Sequence, residues 1–168
     1  QVVNLLFLGR QGPITAPPKD SKEEDKTLFA ALLGGVTSLI YDNVEHQLAS
    51  DFICAILTSE TIEQRLLGTS TKAVVSTACT FMVTGNNLTF AGDLTARSLP
   101  CYLDPKSDHP EHRRFSRDLT AWIPQHRARL VPAALTFLRG YLTSGEKPDM
   151  EPWQRFPDWD NLVRAAIV

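Results

Sequence analysis

Short apolar segments alternate with polar ones in the first part of the chain. Residues 36–42, VTSLIYD, form a short run rich in β-branched and aromatic residues, which is typical of a strand covered on both faces in a parallel sheet. Residues 78–87, ACTFMVTGNN, have the same character and end in a turn with two amides. Between them, the segment SDFICAILTS, residues 50–59, predicts a short helix capped by Ser50, and residues 62–77 predict two short strands.

Helix signals precede the first of these strands. In SKEEDKTLFAALLGG, Ser21 and Glu24 form a capping-box pattern, and the closing glycine pair predicts the end of the helix. The opening VVNLLFLG fits either a strand or a helix, because eight residues do not separate the two periods. The proline-rich segment 10–20 predicts an extended loop.

The last third of the chain has helical periodicity. Residues 117–143 predict two helices, because Pro124 and Pro132 are acceptable only near helix starts. The terminal segment DWDNLVRAAIV predicts an amphipathic helix.

The order of elements indicates an α/β layer followed by a helical part. Within GDLTARSLPCYLD, Asp93 is expected to cap one or two helical turns, and a small strand is expected after Pro100. We therefore divide the sequence into an α/β core, residues 1–105, and a helical C-terminal subdomain, residues 106–168.

Composition limits the classes of function. The chain has 43% hydrophobic and 21% charged residues, as globular domains do. Its net charge of −2 means that any contact with nucleic acid would be local. Cys54, Cys79 and Cys101 lie in apolar runs without a CxxC pair, which predicts reduced thiols in a cytoplasmic protein. No apolar run approaches the roughly 20 residues of a membrane span.

The two predicted parallel strands both end in polar residues. Asp42 ends the first, with Glu45 three positions later, and Thr84, Asn86 and Asn87 follow the second. Ligands of open parallel sheets bind beyond the carboxyl ends of the strands. If the strands are neighbours, about 4.8 Å apart, these groups face one small volume. An Asp, a Glu and an amide there suit a hydrated Mg²⁺ and a water oriented towards a phosphate.

These features also have simpler explanations. Asp-Asn after a strand is a common turn opener, Gly-Asn-Asn suits a hairpin tip, and Arg97 is placed for an ion pair with Asp93 one helical turn away. HPEH, residues 109–112, lacks a third metal ligand nearby. The basic segment HRRFSR, residues 112–117, could meet a phosphodiester backbone, although a solvated loop leading into a helix explains it more simply. Trp122 is expected to be a packing residue.

Taken in order, the motifs resemble those of helicase ATPases. SLIYDNVE resembles a Walker B element, and FMVTGNN resembles the sensor-1 strand of AAA+ or superfamily-3 helicase ATPases. GDLTARSLPCYLD is similar to the arginine-finger segment of the primase-associated ATPases of phages and integrative elements. The similarity covers the chain from about residue 20 to its end.

The resemblance implies a partial P-loop NTPase fold of the AAA+ type with a C-terminal helical lid. It also implies ATP hydrolysis with Mg²⁺ at subunit boundaries of a ring, expected to be a hexamer, that moves DNA and works with a fused or separate primase. No membrane partner is implied. The alternative is a non-catalytic oligomerisation or DNA-binding module that keeps the ATPase shape.

The resemblance assigns roles to the residues at the strand ends. Asp42 would hold Mg²⁺ through a water, and Thr84 and Asn86 would contact the nucleotide. Asn86 or Asn87 would hold the attacking water or the γ-phosphate. Glu45 would be the candidate general base, although in the family the acid stands directly after the Walker B aspartate.

The sequence departs from the family pattern in further respects. Arg97 would reach the nucleotide of a neighbouring subunit, but Ala96 stands where close relatives often have a second arginine. None of the nine glycines is followed by Lys, so these residues contain no GxxxxGK[ST] phosphate loop. The family has that loop upstream, which would place it before Gln1. We therefore expect this chain alone to bind ATP very weakly or not at all.

Overall fold

The structure is a computed structural model, and it describes residues 1–18, 20–153 and 155–168, without the side chain of Glu111. The chain forms two compact units: a sheet unit, Gly12–Cys101, and a helical unit, Gln1–Gln11 with Tyr102–Val168. The helices and strands are, in chain order, α1 (Val2–Phe7), β1 (Ile14–Thr15), α2 (Ser21–Leu33), β2 (Ser38–Tyr41), α3 (Asp51–Thr58), β3 (Thr61–Arg65), β4 (Lys72–Ser76), β5 (Thr80–Val83), α4 (Leu119–Ser144), α5 (Pro157–Trp159) and α6 (Ala165–Ile167). Short 3₁₀ helices span Gly92–Arg97 and Pro110–His112, and a π-helical turn, Asp160–Arg164, joins α5 to α6.

A three-stranded parallel sheet lies in the sheet unit, in the order β1-β2-β5. Leu39 of β2 is opposite Phe81 of β5, and Tyr41 is opposite Val83. All four residues of β2 are buried, as expected for a central strand with both faces covered. The mixed α/β class and the parallel pairing predicted from sequence are therefore confirmed.

The core of the sheet unit is built around β2. Tyr41 is only 1% exposed, and its ring meets that of Phe81 edge-on at 5.0 Å. Burial, and secondly the nearby carboxylate of Glu24, raises the pKa of Tyr41, so the phenol stays neutral. The buried apolar residues of this core are Leu28, Phe29, Leu32, Leu39, Tyr41, Val44, Leu48, Ile53, Ile56, Val75 and Leu94.

The predicted cap of α2 is wrong by one residue. The capping residue is Asp20, whose carboxylate accepts hydrogen bonds from the backbone N–H groups of Lys22 (2.8 Å) and Glu23 (3.2 Å). Ser21 is already the first helical residue. A charged carboxylate at the positive end of the helix is the stronger acceptor. The helix ends at Leu33 with Gly34 as its C-cap, so the glycine pair marks its end as predicted.

The segment between α3 and β5 forms an antiparallel hairpin of β3 and β4, with Thr61 opposite Ser76 and Arg65 opposite Lys72. The two short strands predicted there are confirmed, and so is α3 with its cap, since the Ser50 hydroxyl accepts from the N–H of Ile53 at 3.2 Å.

Two expectations around residue 100 are wrong. Asp93 does not cap the 3₁₀ helix, because Ala91 is the capping residue and the Asp93 carboxylate pairs with Arg97 at 3.2 Å. No strand follows Pro100, and residues 101–105 have no regular structure. A strand needs a hydrogen-bonded neighbour, and these residues are exposed.

The helical unit is organised by one long helix, α4, rather than the two helices predicted. Pro124 and Pro132 both lie inside it. Each proline removes one backbone hydrogen bond, but the helix is fixed at its start by Asp118, which accepts from the N–H of Thr120 at 2.9 Å, and at its end by Gly145 in the left-handed conformation. The helix therefore continues through both prolines, with a capping residue at each of its ends.

The apolar opening of the chain is a helix, which resolves the alternative left open by its sequence. Arg127 of α4 donates to the carbonyl of Leu6 through Nε at 2.8 Å and to that of Phe7 through an Nη nitrogen at 3.0 Å. The last carbonyls of a helix lack partners within it. The guanidinium supplies these partners and attaches α1 to α4.

The terminal amphipathic helix is confirmed, with Asp160 as its buried polar contact. Asp160 is 2% exposed; its carboxylate accepts from the N–H of Trp153 at 2.8 Å and from Arg164 at 2.5 Å. These contacts, first the one with Trp153, lower the pKa of Asp160. Across the described ranges, no helix combines the length and apolarity needed to cross a bilayer.

We expect Asp20→Ala to lower the free energy of unfolding by about 1 kcal/mol, because two N–H groups of α2 lose their acceptor. Ser21→Ala is the matched control and should change it by less than about 0.5 kcal/mol. Urea unfolding followed by far-UV circular dichroism measures both. A larger loss for Ser21→Ala than for Asp20→Ala would contradict the cap assignment.

Asp160 should make the free energy of unfolding of the helical unit depend on pH in the acid range. Its folded pKa lies below the ordinary 3.8, so its contribution is complete above pH 3.8 and is lost as the pH falls towards the folded value. Asp160→Asn should therefore be less stable than the wild type at neutral pH, and this difference should shrink in acid.

Tryptophan fluorescence during urea unfolding measures this effect, because all three tryptophans belong to the helical unit. Asp158→Asn, at an exposed position in the adjacent α5, is the control and should change stability little. A difference between Asp160→Asn and wild type that is equal at neutral and acid pH would contradict the prediction.

Candidate functional site

The pairing of β2 with β5 continues past the ends of both strands. The N–H of Thr84 donates to the carbonyl of Tyr41 at 2.9 Å, and the N–H of Val44 donates back to the carbonyl of Thr84 at 2.9 Å. Further on, Leu48 forms an isolated parallel bridge with Phe90. The loops after the two strands, residues 42–48 and 84–90, are therefore held side by side at the carboxyl edge of the sheet.

Gly85 allows the two loops to approach this closely. A Cβ atom added to Gly85 would lie 2.3 Å from the carbonyl oxygen of Val44, well inside van der Waals contact. Val44 cannot easily move away, since it is 1% exposed and belongs to the core. The sequence signal for this residue was visible only as part of a turn-prone Gly-Asn-Asn.

A connected hydrogen-bond network lies at this edge of the sheet. The hydroxyl of Thr84 donates to the carboxylate of Asp42 and accepts from the backbone N–H of Asn43 at 3.2 Å. The side-chain amide of Asn43 donates to the carboxylate of Glu45 at 3.2 Å. The structure thus places Asp42, Glu45 and Thr84 in one network, and all of its members are exposed.

Asn43 is the member that sequence reasoning did not assign to the site. It has a left-handed backbone with φ of 55°, a conformation that Asn tolerates better than most residues other than Gly. This turn directs its side-chain amide to Glu45. The available signal was the Asp-Asn pair, of which the sequence analysis assigned only Asp42 to the site.

The two asparagines after Gly85 lie on an exposed turn. Asn87 has a φ of 55°, also in the left-handed region. Within the described part of the chain, neither the Asn86 nor the Asn87 side chain is hydrogen-bonded to the network. Both amides are exposed at the same edge of the sheet.

Arg97 contacts groups of its own unit. Its guanidinium donates to Asp93 at 3.2 Å, and its side chain is 35% exposed while that of Asp93 is 78% exposed. It also lies near Cys54 of α3, where burial raises the pKa of the thiol and Arg97 partly opposes that effect. The i,i+4 ion pair considered as the simpler explanation is therefore present.

Asp42, Glu45 and Thr84 are the residues at this edge of the sheet whose oxygens could hold a hydrated metal ion. Among the residues that the structure describes, no group of three or more His, Cys, Asp or Glu side chains lies together. Asp42 and Glu45 offer carboxylate oxygens within one network, and Thr84 adds a hydroxyl. Mg²⁺ is usually bound by one or two carboxylates and keeps several waters that phosphates replace.

Comparison with models of known protein families gives no match, and neither do comparisons with curated proteins or with solved structures. The functional assignment therefore depends on the residues and their geometry.

We expect Gly85→Ala to destabilise the sheet unit by about 1–3 kcal/mol, because the new methyl group would overlap the backbone of Val44. Gly140→Ala is the control: Gly140 lies inside α4 with nothing within 4 Å of an added Cβ, and alanine should stabilise the helix by up to about 1 kcal/mol. Thermal unfolding followed by circular dichroism compares the two. Equal changes in stability for Gly85→Ala and Gly140→Ala would contradict the close approach of Gly85 to the backbone of Val44.

Proposed function

We propose that the network after β2 and β5 is the magnesium side of an ATP-hydrolysing site in a helicase motor of the AAA+/superfamily-3 type. The observation that carries this proposal is the hydrogen bond between Asp42 and Thr84, which end adjacent parallel strands. That edge of an open parallel sheet is where phosphate-bearing ligands bind. The order of the motifs that resemble Walker B, sensor 1 and the arginine finger adds support.

In this proposal Asp42 holds a water of the metal, and Thr84 keeps the Asp42 carboxylate in one orientation. When bound, Mg²⁺ supplies neutralisation of charge on the β- and γ-phosphate oxygens. Glu45 takes the proton of the attacking water, and the amide of Asn43 fixes the position of the Glu45 carboxylate. The general base, Glu45, therefore stands three residues after Asp42. It is oriented by Asn43, the residue that directly follows Asp42.

The exposed amides of Asn86 and Asn87 hold the attacking water or the γ-phosphate. They can turn towards a ligand because the described residues do not engage them in the network. An amide can both donate to a phosphate oxygen and accept from a water, which suits this position between nucleotide and nucleophile.

Arg97 acts on the nucleotide of a neighbouring subunit. Its ion pair with Asp93 is not an obstacle, since Asp93 is 78% exposed and such surface pairs contribute at most about 1 kcal/mol. A triphosphate is a stronger partner for a guanidinium than one exposed carboxylate. The work driven by hydrolysis is movement of DNA through a ring, with a primase fused or separate.

A second candidate is a non-catalytic oligomerisation or DNA-binding module with the same sheet. The internal Arg97–Asp93 pair and the lack of a GK sequence in these residues favour it. The two candidates differ in whether Asp42 and Arg97 affect turnover.

We expect Asp42→Asn and Arg97→Ala each to reduce ATP turnover by about 10³-fold, the scale of an arginine finger or of lost metal binding. The assay requires a polypeptide that also contains a phosphate loop. Because the two residues serve one nucleotide from different subunits, a mixture of the two variants should recover part of the activity. Steady-state phosphate release measures this.

Asp93→Ala is the control for Arg97→Ala, since it removes the same ion pair and keeps the guanidinium. It should retain turnover. Equal loss with Asp93→Ala and Arg97→Ala would show that the pair matters only for folding. Unchanged turnover in Asp42→Asn would contradict the proposed site and favour the non-catalytic module.

A further inference from the structure

A basic and aromatic segment precedes α4 in the helical unit. Residues 112–117, HRRFSR, contain three arginines and no acidic residue. Phe115 is 72% exposed although it is a large apolar side chain. The proposed ATPase mechanism uses none of these residues.

Guanidinium groups lie over aromatic rings at two places in this segment. Arg113 lies 5.3 Å from the ring centroid of Phe115, and Arg117 lies 5.2 Å from that of Trp122. Trp122 also stacks with His126, at a centroid distance of 4.1 Å and an interplanar angle of 15°. The cations are thus held beside flat apolar surfaces instead of extending freely into water.

The three arginines of this segment have no acidic partner among the side chains that the structure describes. Outside the side chain of Glu111, no described carboxylate forms an ion pair with Arg113, Arg114 or Arg117. Asp118 is the nearest acid in sequence, and its carboxylate is bound to the start of α4 through Thr120 and Ala121. An open groove of about 530 Å³ is lined by Phe115, Arg117, Asp118 and Leu119.

We propose that this surface, which we call the Arg-Phe surface (Arg113, Arg114, Phe115 and Arg117), binds single-stranded nucleic acid. Arginines contact successive phosphates, and the exposed ring of Phe115 stacks on a base. Binding of single strands combines a cationic track with aromatic stacking in this way. A duplex keeps its bases stacked on each other, so it offers Phe115 no base face.

The inference deepens the proposed motor function by naming a surface for its polymer, but it does not require ATP. Binding is therefore measured with the 168-residue chain and no nucleotide. If the chain did not bind nucleic acid, the proposed hydrolysis would still be tested separately by the ATP turnover of Asp42→Asn.

The first experiment follows fluorescence anisotropy of a labelled oligothymidylate of about 20 nucleotides, longer than the usual site of one small binding domain. The triple variant Arg113→Gln, Arg114→Gln, Arg117→Gln should bind at least about tenfold more weakly at about 50 mM salt. Its slope of log affinity against log salt should be smaller by about 2, since each phosphate contact with a single strand contributes about 0.7.

The matched control removes three exposed positive charges from elsewhere in the same unit, in the variant Arg139→Gln, Lys147→Gln, Arg155→Gln. It should keep the wild-type salt slope. Equal losses in the two triple variants would mean that only net charge matters and would overturn the proposal. No binding by the wild-type chain, or tighter binding of a duplex of equal length, would also overturn it.

The second experiment separates stacking from charge. Phe115→Ala should weaken binding of oligothymidylate at least about fivefold, the lower end of the effect of a stacked base, and should leave the salt slope unchanged. Phe115→Trp should restore affinity. With an abasic oligomer of equal length, Phe115→Ala and wild type should bind equally. An equal loss for the abasic oligomer would contradict stacking and overturn the proposal.

Discussion

The contact between the backbone of Val44 and that of Thr84 and Gly85 is the constraint on which the sheet unit depends. Val44 is anchored in the core, and its N–H bonds to the carbonyl of Thr84. That bond extends the parallel pairing beyond the strands and brings Asp42 within reach of the Thr84 hydroxyl. A polar network at the surface is therefore positioned by a buried aliphatic residue and by the absence of a side chain at residue 85.

Much of the sheet unit could be predicted from sequence because its signals are local. β2 and β5 are short, apolar and rich in β-branched or aromatic residues, and α3 begins directly after its serine cap. The cap of α2 shows the limit of such reasoning. Asp20 and Ser21 are both good capping residues, and the choice between them depends on which has an extended backbone, which composition does not determine. Asp20 has it, with φ of −99° and ψ of 127°.

The features that could not be predicted depend on distant contacts or on single dihedral angles. Arg127 closes the end of α1 across 120 residues of sequence, and local periodicity contains no information on such a contact. Pro124 and Pro132 predict helix starts by local rules, but both lie inside one long helix that is capped at its two ends. The proximity of Asp42 and Thr84 was predictable, because both residues directly follow strands that were expected to be neighbours in a parallel sheet. The contact of Asn43 with Glu45 depends on the positive φ of Asn43. An asparagine tolerates this conformation, but its presence in the sequence does not predict it.

The hairpin of β3 and β4 leaves the sheet after α3 and returns to it before β5. Its own pairs, from Thr61–Ser76 to Arg65–Lys72, are independent of the hydrogen bonds that align β2 with β5. Its exposed tip, where Leu67 is 84% accessible to solvent, is thus a place where evolution can insert or delete residues in pairs. A change in length beyond the Arg65–Lys72 pair would leave the alignment of the two central strands intact.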